Sequence, residues 1–120
     1  MKDNTRRVVA FVAGRLISGS EAWSIYDCEA SRTCRFSGTV SPEQILVYDP
    51  EARCRVSGYG EKDCYSLYHH GNRHHIELKI RGSSFEGYDY GSGAHFSGSV
   101  DGSSVVVFDG QDRRYYYFTI

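Results

Sequence analysis

Phe36, Val56, Ile76, Phe96 and Tyr116 recur at intervals of 20 residues without a slip. Two residues after them stand Gly38, Gly58, Leu78, Gly98 and Phe118, and two further on Val40, Gly60, Ile80, Val100 and Ile120. Columns that hold register over successive copies mark an internal repeat, and repeated units fold alike and pack on one another. Each copy opens on a second recurring segment: Trp23-Ser-Ile-Tyr26-Asp27, Ile45-Leu-Val-Tyr48-Asp49, Tyr65-Ser-Leu-Tyr68-His69, Phe85-Glu-Gly-Tyr88-Asp89 and Val105-Val-Val-Phe108-Asp109. A sixth, degenerate copy is expected over Arg7 to Gly19, where Ile17-Ser-Gly19 echoes Phe36-Ser-Gly38.

Both segments of a copy alternate apolar and polar residues, and turn formers such as Gly71-Asn72 and Gly91-Ser92-Gly93 separate them, so each unit reads as a β-hairpin. The constant spacing from Tyr48 to Val56, Tyr68 to Ile76 and Tyr88 to Phe96 predicts a register. Tyr68 should face His75, Leu67 Ile76, Phe85 Gly98, and Gly87 Phe96, so that bulky side chains meet glycine. A slip by one residue would turn the apolar set to solvent. Helix is expected to be nearly absent.

One face of this sheet, from Trp23 and Ile25 through to Phe118 and Ile120, is almost wholly apolar and must be covered. Each large side chain there is worth roughly 1.5–3 kcal/mol on burial. The fold class expected is therefore all-β, an antiparallel meander of about six hairpin repeats closed as a barrel or a two-layer sandwich. Residues 1–6 are expected as a flexible lead-in, and 7–120 as a single domain.

The other face carries Tyr26, Tyr48, Tyr68, Tyr88 and Phe108, with Arg35, Arg55, His75, His95 and Tyr115 opposite them. Six of these, Tyr48, Arg55, Tyr68, His75, Tyr88 and His95, form the candidate ligand-binding stripe. Their rings can stack on a sugar while the bases bond hydroxyls. The structural alternative is that such cross-strand pairs merely stabilise a solvated sheet. The Asp after each aromatic, at 27, 49, 89 and 109, reads as turn chemistry, since Asp bonds backbone N–H groups just downstream. Calcium or sugar binding becomes attractive only if these carboxylates share one rim.

His69 and His74 face each other across a turn holding four imidazoles and are the candidate metal ligands. Cys34, Cys54 and His74 share a column, but equivalent positions of successive hairpins lie about 9–10 Å apart, too far for common zinc ligation or a Cys34–Cys54 disulfide. Cys28, Cys34, Cys54 and Cys64 are expected as thiols, Cys28 and Cys34 being near enough to join across the first turn only in an oxidising setting. No phosphate loop, dinucleotide fingerprint, zincin motif or nucleophile elbow occurs, and no cofactor is implied. With 14 Lys+Arg against 15 Asp+Glu, no bulk charge draws the chain to nucleic acid or an anionic membrane. The apolar run Val8–Ala13 is too short for a membrane span or signal core, which places the chain in the cytoplasm.

The reading is thus a non-catalytic module that binds a glycan or another protein. Its alternatives are a His-rich turn binding a transition metal, and a structural protein that assembles through an unpaired, uncharged C-terminal edge strand, Tyr115–Ile120, into a homo-oligomer. In outline the stacked hairpins resemble those of MORN-type and choline-binding-type modules. The Trp and Gly spacings of those families are absent here, and no binding residue follows from the likeness.

Overall fold

The computed structural model describes residues 1–120. One helix, α1 (Asp3–Ser18), precedes eleven strands: β1 (Ser24–Asp27), β2 (Arg32–Arg35), β3 (Ser37–Val40), β4 (Gln44–Asp49), β5 (Cys54–Glu61), β6 (Cys64–His69), β7 (His74–Arg81), β8 (Ser84–Asp89), β9 (Ala94–Asp101), β10 (Ser104–Asp109) and β11 (Arg114–Thr119). The strands form one antiparallel sheet in the order β2-β1-β11-β10-β9-β8-β7-β6-β5-β4-β3. Its two ends, β2 and β3, are consecutive in the chain and separated only by Phe36. The meander therefore comes round on itself as a nearly closed barrel rather than a sandwich.

The expected register holds. Tyr68 pairs with His75, Leu67 with Ile76 and Ile45 with Gly58. Phe85 pairs with Gly98 and Gly87 with Phe96. A Cβ added at Gly98 would lie 2.1 Å from the Val106 carbonyl oxygen and 2.3 Å from the Phe85 ring. The glycine column is thus what lets neighbouring backbone and a core ring crowd the same spot. Only the first hairpin departs from the expected pairing: Tyr26 lies opposite Thr33, and Arg35 opposite Ser24.

The expected sixth hairpin is not there. Residues 7–18 lie in α1, which fills the barrel, with Val8, Val9, Ala10, Phe11, Val12 and Ala13 wholly buried. A short apolar run has no periodicity that separates strand from helix, and a helix apolar all round is stable only when surrounded. Here the sheet's apolar face surrounds it. At 16 residues α1 is about 24 Å long, close to the 28 Å breadth of the molecule. Gly19, at φ 72°, ends it by donating its N–H to the Arg15 carbonyl.

Residues 1–6, expected as a loose lead-in, are likewise part of the body. Met1 is buried, and its amine lies 2.8 Å from Asp109. Nor is the C-terminal strand an edge: β11 lies between β10 and β1, with Tyr26 paired to Thr119 and the Cys28 N–H donating to the Tyr117 carbonyl. The expected assembly edge is occupied within the chain. Trp23, read as core, is 41% exposed and carries the Arg15 guanidinium 4.5 Å above its ring.

Candidate functional site

The barrel offers two chemically distinct regions, its outer wall and the rim at the N-terminal end of α1. On the wall, the sheet register lines up cross-strand rows. Tyr88 sits between Glu77 on β7 and His95 on β9, and Phe108 between Ser97 on β9 and Tyr115 on β11. The second row continues from Ser97 through Glu86 and Lys79 to Cys64. Between the Tyr88 and Phe108 rings the wall carries Ser97 and, beneath it, Gly87, which has no side chain. The result is a groove of about 620 Å³ lined by Tyr88, His95, Phe108, Glu77, Lys79 and Glu86, with Leu78 and Phe96 of the core in its floor.

The rings there are braced. His95 and Tyr90 both meet Tyr88 with centroids 4.8 Å apart, at 74° and 73°. Such edge-to-face pairs are favourable and fix a ring's orientation. Tyr68 is held in the same way by His70 and His75, each at 4.8 Å. Of the six stripe residues expected from the sequence, however, only Tyr88 and His95 line the groove. Tyr48, paired with Arg55, and Tyr68, paired with His75, stand on the wall outside it.

Glu77, Lys79 and Glu86 were not singled out from the sequence. Their signal is nonetheless present: they are the outward charged positions of β7 and β8 flanking Gly87, the glycine of the first-strand column. Glu86 lies opposite Lys79 in register and pairs with Arg81, whose Nε lies 3.4 Å from its carboxylate. The groove thus joins two aromatic walls to carboxylate, ammonium, imidazole and hydroxyl groups.

At the rim the column after each aromatic points inward. Asp49, Asp89 and Asp109 are about 1% exposed, and His69 is fully buried. The carboxylates do make the turn bonds expected of them: Asp27 accepts from Glu29 and Ala30, Asp49 from Glu51 and Ala52, Asp89 from Gly91, and Asp109 from Gln111. They also share one rim, the arrangement that would favour calcium, but α1 supplies counter-charges to two of them, Asp49 and Asp109. Arg7 donates twice to Asp49, at 2.7 and 3.1 Å, and Arg6 donates to Asp109 at 3.2 Å. Burial works against the Asp109 carboxylate, yet the bonds from the Met1 amine, the Gln111 N–H and Arg6 outweigh it and hold its pKa below the ordinary value.

His69 and His74 are brought together as expected, opposite in register with ring centroids 5.8 Å apart. One nitrogen of each ring is engaged elsewhere, while His69 Nε2 is buried without a hydrogen-bond partner. His69 Nδ1 accepts the Asn72 N–H at 3.1 Å, and His74 Nδ1 lies 3.3 Å from Asp89. No set of three or more His, Cys, Asp or Glu side chains is arranged to hold a metal ion. Burial, and then the neighbouring His74, push the His69 pKa down to about 4, so its imidazole is neutral at ordinary pH.

All four cysteines are free, Cys34 and Cys54 buried and Cys28 and Cys64 exposed. Burial raises the pKa of both Cys34 and Cys54, which favours the thiol over the thiolate. No helix is long and apolar enough to cross a membrane. No protein-family model, no curated protein and no solved structure matches the chain.

Proposed function

We propose that the protein is a non-catalytic binding module whose outer-wall groove takes a glycan. The observation that carries this reading is the groove between Tyr88 and Phe108, with Glu77, Glu86, Lys79 and His95 around it. Sugar rings present an apolar face of C–H groups and an edge of hydroxyls. An aromatic wall stacks against the first, while carboxylates and imidazoles bond the second. The volume, about 620 Å³, lies within the range of small-molecule sites, roughly 300–1,000 Å³. Because the rings are braced by neighbours before any ligand arrives, little ordering entropy is lost on binding.

A glycan array followed by calorimetry tests the proposal. Tyr88→Ala and Phe108→Ala should each weaken the strongest hit by about tenfold or more, the loss expected when one wall of a stacking site is removed. Tyr48→Ala, outside the groove, should leave it unchanged. An array without hits, or hits indifferent to both groove substitutions, would overturn it.

A further inference from the structure

The rim shows an inequality among otherwise equivalent hairpins. In the second hairpin Asp49 binds Arg7 at 2.7 Å, and Glu51 of the adjoining turn also approaches Arg7. In the third, Asn72 of the turn donates to Asn4 and Thr5 of α1, each at 2.9 Å. In the fifth, Asp109 and Gln111 hold the Met1 amine at 2.8 and 2.7 Å, and Asp109 also takes Arg6. The fourth hairpin offers the same inward acid, Asp89, but its turn, Tyr90-Gly91-Ser92-Gly93, makes no side-chain hydrogen bond or ion pair to the helix, Tyr90 lying against Tyr88 instead. No cation of α1 meets Asp89; only the His74 ring covers it, at 3.3 Å.

Beside this turn lies a cleft of about 410 Å³ lined by Lys2, Asn72, Arg73, His74, Asp89, Ser92 and Gln111 among others. Two further facts bear on its chemistry. Ser92 Oγ is shielded from solvent and has no hydrogen-bond partner, although buried polar atoms are nearly always paired. Lys2 and Arg73 make no ion pair within the chain. The cleft therefore gathers a buried carboxylate and an unpaired hydroxyl of the fourth hairpin with two cations, Lys2 and Arg73, that pair with no acid of the chain.

We infer that this cleft binds a small zwitterion of amino-acid size. Its ammonium takes, at Asp89, the place that Arg7 takes at Asp49 and the Met1 amine at Asp109, and donates a further bond to Ser92 Oγ. Its carboxylate lies toward Lys2 and Arg73. His74 is displaced from Asp89 as the ammonium enters, because a full cation with several donors satisfies a buried carboxylate better than an imidazole edge. This site is separate from the outer-wall groove and stands or falls without it.

Calorimetric titration of the full chain with L-serine and L-arginine, beside ethylamine and acetate as the two halves, tests the inference. The amino acids should bind, and each half alone should bind at least about tenfold more weakly. Asp89→Asn keeps the oxygen that accepts the Gly91 N–H but removes the charge, and should weaken amino-acid binding by about tenfold. His74→Ala uncovers the carboxylate and should tighten it. Should Asp89→Asn fail to fold, the exposed pair Lys2→Ala with Arg73→Ala carries the test, since it removes the carboxylate half alone and should reduce the amino acids to the affinity of ethylamine. Absence of amino-acid binding, equal binding by ethylamine in the unmodified protein, or indifference to Lys2→Ala with Arg73→Ala would overturn the proposal.

Discussion

At the residue scale, His69 stands where the repeat elsewhere has aspartate, and the exchange leaves a measurable trace. Asp bonds the turn with a charge, which α1 neutralises at Asp49 and Asp109; His69 bonds the Asn72 N–H with a neutral nitrogen, and Asn72 in turn grips Asn4 and Thr5. Protonating His69 removes that acceptor and adds a buried charge near His74 and Arg7. The unfolded imidazole titrates near 6.5 and the folded one near 4, so between those values the unfolded state holds the extra proton. Stability should be constant in this respect above about pH 6.5 and fall as pH drops toward 4. It should lose about 3 kcal/mol in all, with nothing more below the folded pKa. Urea unfolding between pH 7.5 and 4.5 reads this slope. His69→Asn, which restores an uncharged acceptor at the turn, should flatten it; an unchanged slope in that variant would assign the acid sensitivity elsewhere.

At the element scale, α1 is what converts a curled sheet into a packed body. Phe11 stacks on Phe36 with centroids 4.5 Å apart and lies 6.2 Å from Trp23, tying the helix to the first hairpin. Because Phe11 is wholly buried, Phe11→Ala should cost about 3–5 kcal/mol in chemical denaturation, the usual range for a core ring that leaves a cavity. A loss below about 1 kcal/mol would mean that the interior relaxes around the helix rather than packing on it. The strands were legible in the sequence because period-2 alternation and the 20-residue columns act locally: Tyr68 finds His75 through one turn. The helix was not, since Val8, Val9 and Val12 favour a strand by local propensity, and only enclosure by distant strands overrides them. The groove was half legible for the same reason. Tyr88 and His95 are partners within a hairpin, whereas Glu77, Lys79 and Phe108 reach it from neighbouring hairpins. Likewise Arg6 reads as part of a loose lead-in and Arg7 as the start of a hairpin until Asp109 and Asp49 are placed beside them.

At the scale of the whole molecule, barrel and helix each supply what the other lacks. A nearly closed meander with inward-facing Ile45, Val47, Leu67, Ile76, Val105 and Val107 encloses a space that its own side chains, facing a 16-residue helix, do not fill. Without α1 these residues would line a cavity or collapse onto one another, and Asp49 and Asp109 would be buried without their cations, a strongly destabilising change. A chain lacking residues 1–19 should therefore lose near-ultraviolet dichroism, bind hydrophobic dye and self-associate, while keeping much of its strand signal from the local hairpins. A synthetic peptide of residues 1–19 added in trans should restore the near-ultraviolet signal and reverse the dye binding, since both the apolar face of the barrel and the acids of its rim remain to receive it. A truncated chain that keeps the near-ultraviolet signal and oligomeric state of the full chain would show that the hairpins close on a core of their own. The helix would then be a lining of the barrel and no longer the reason it stands.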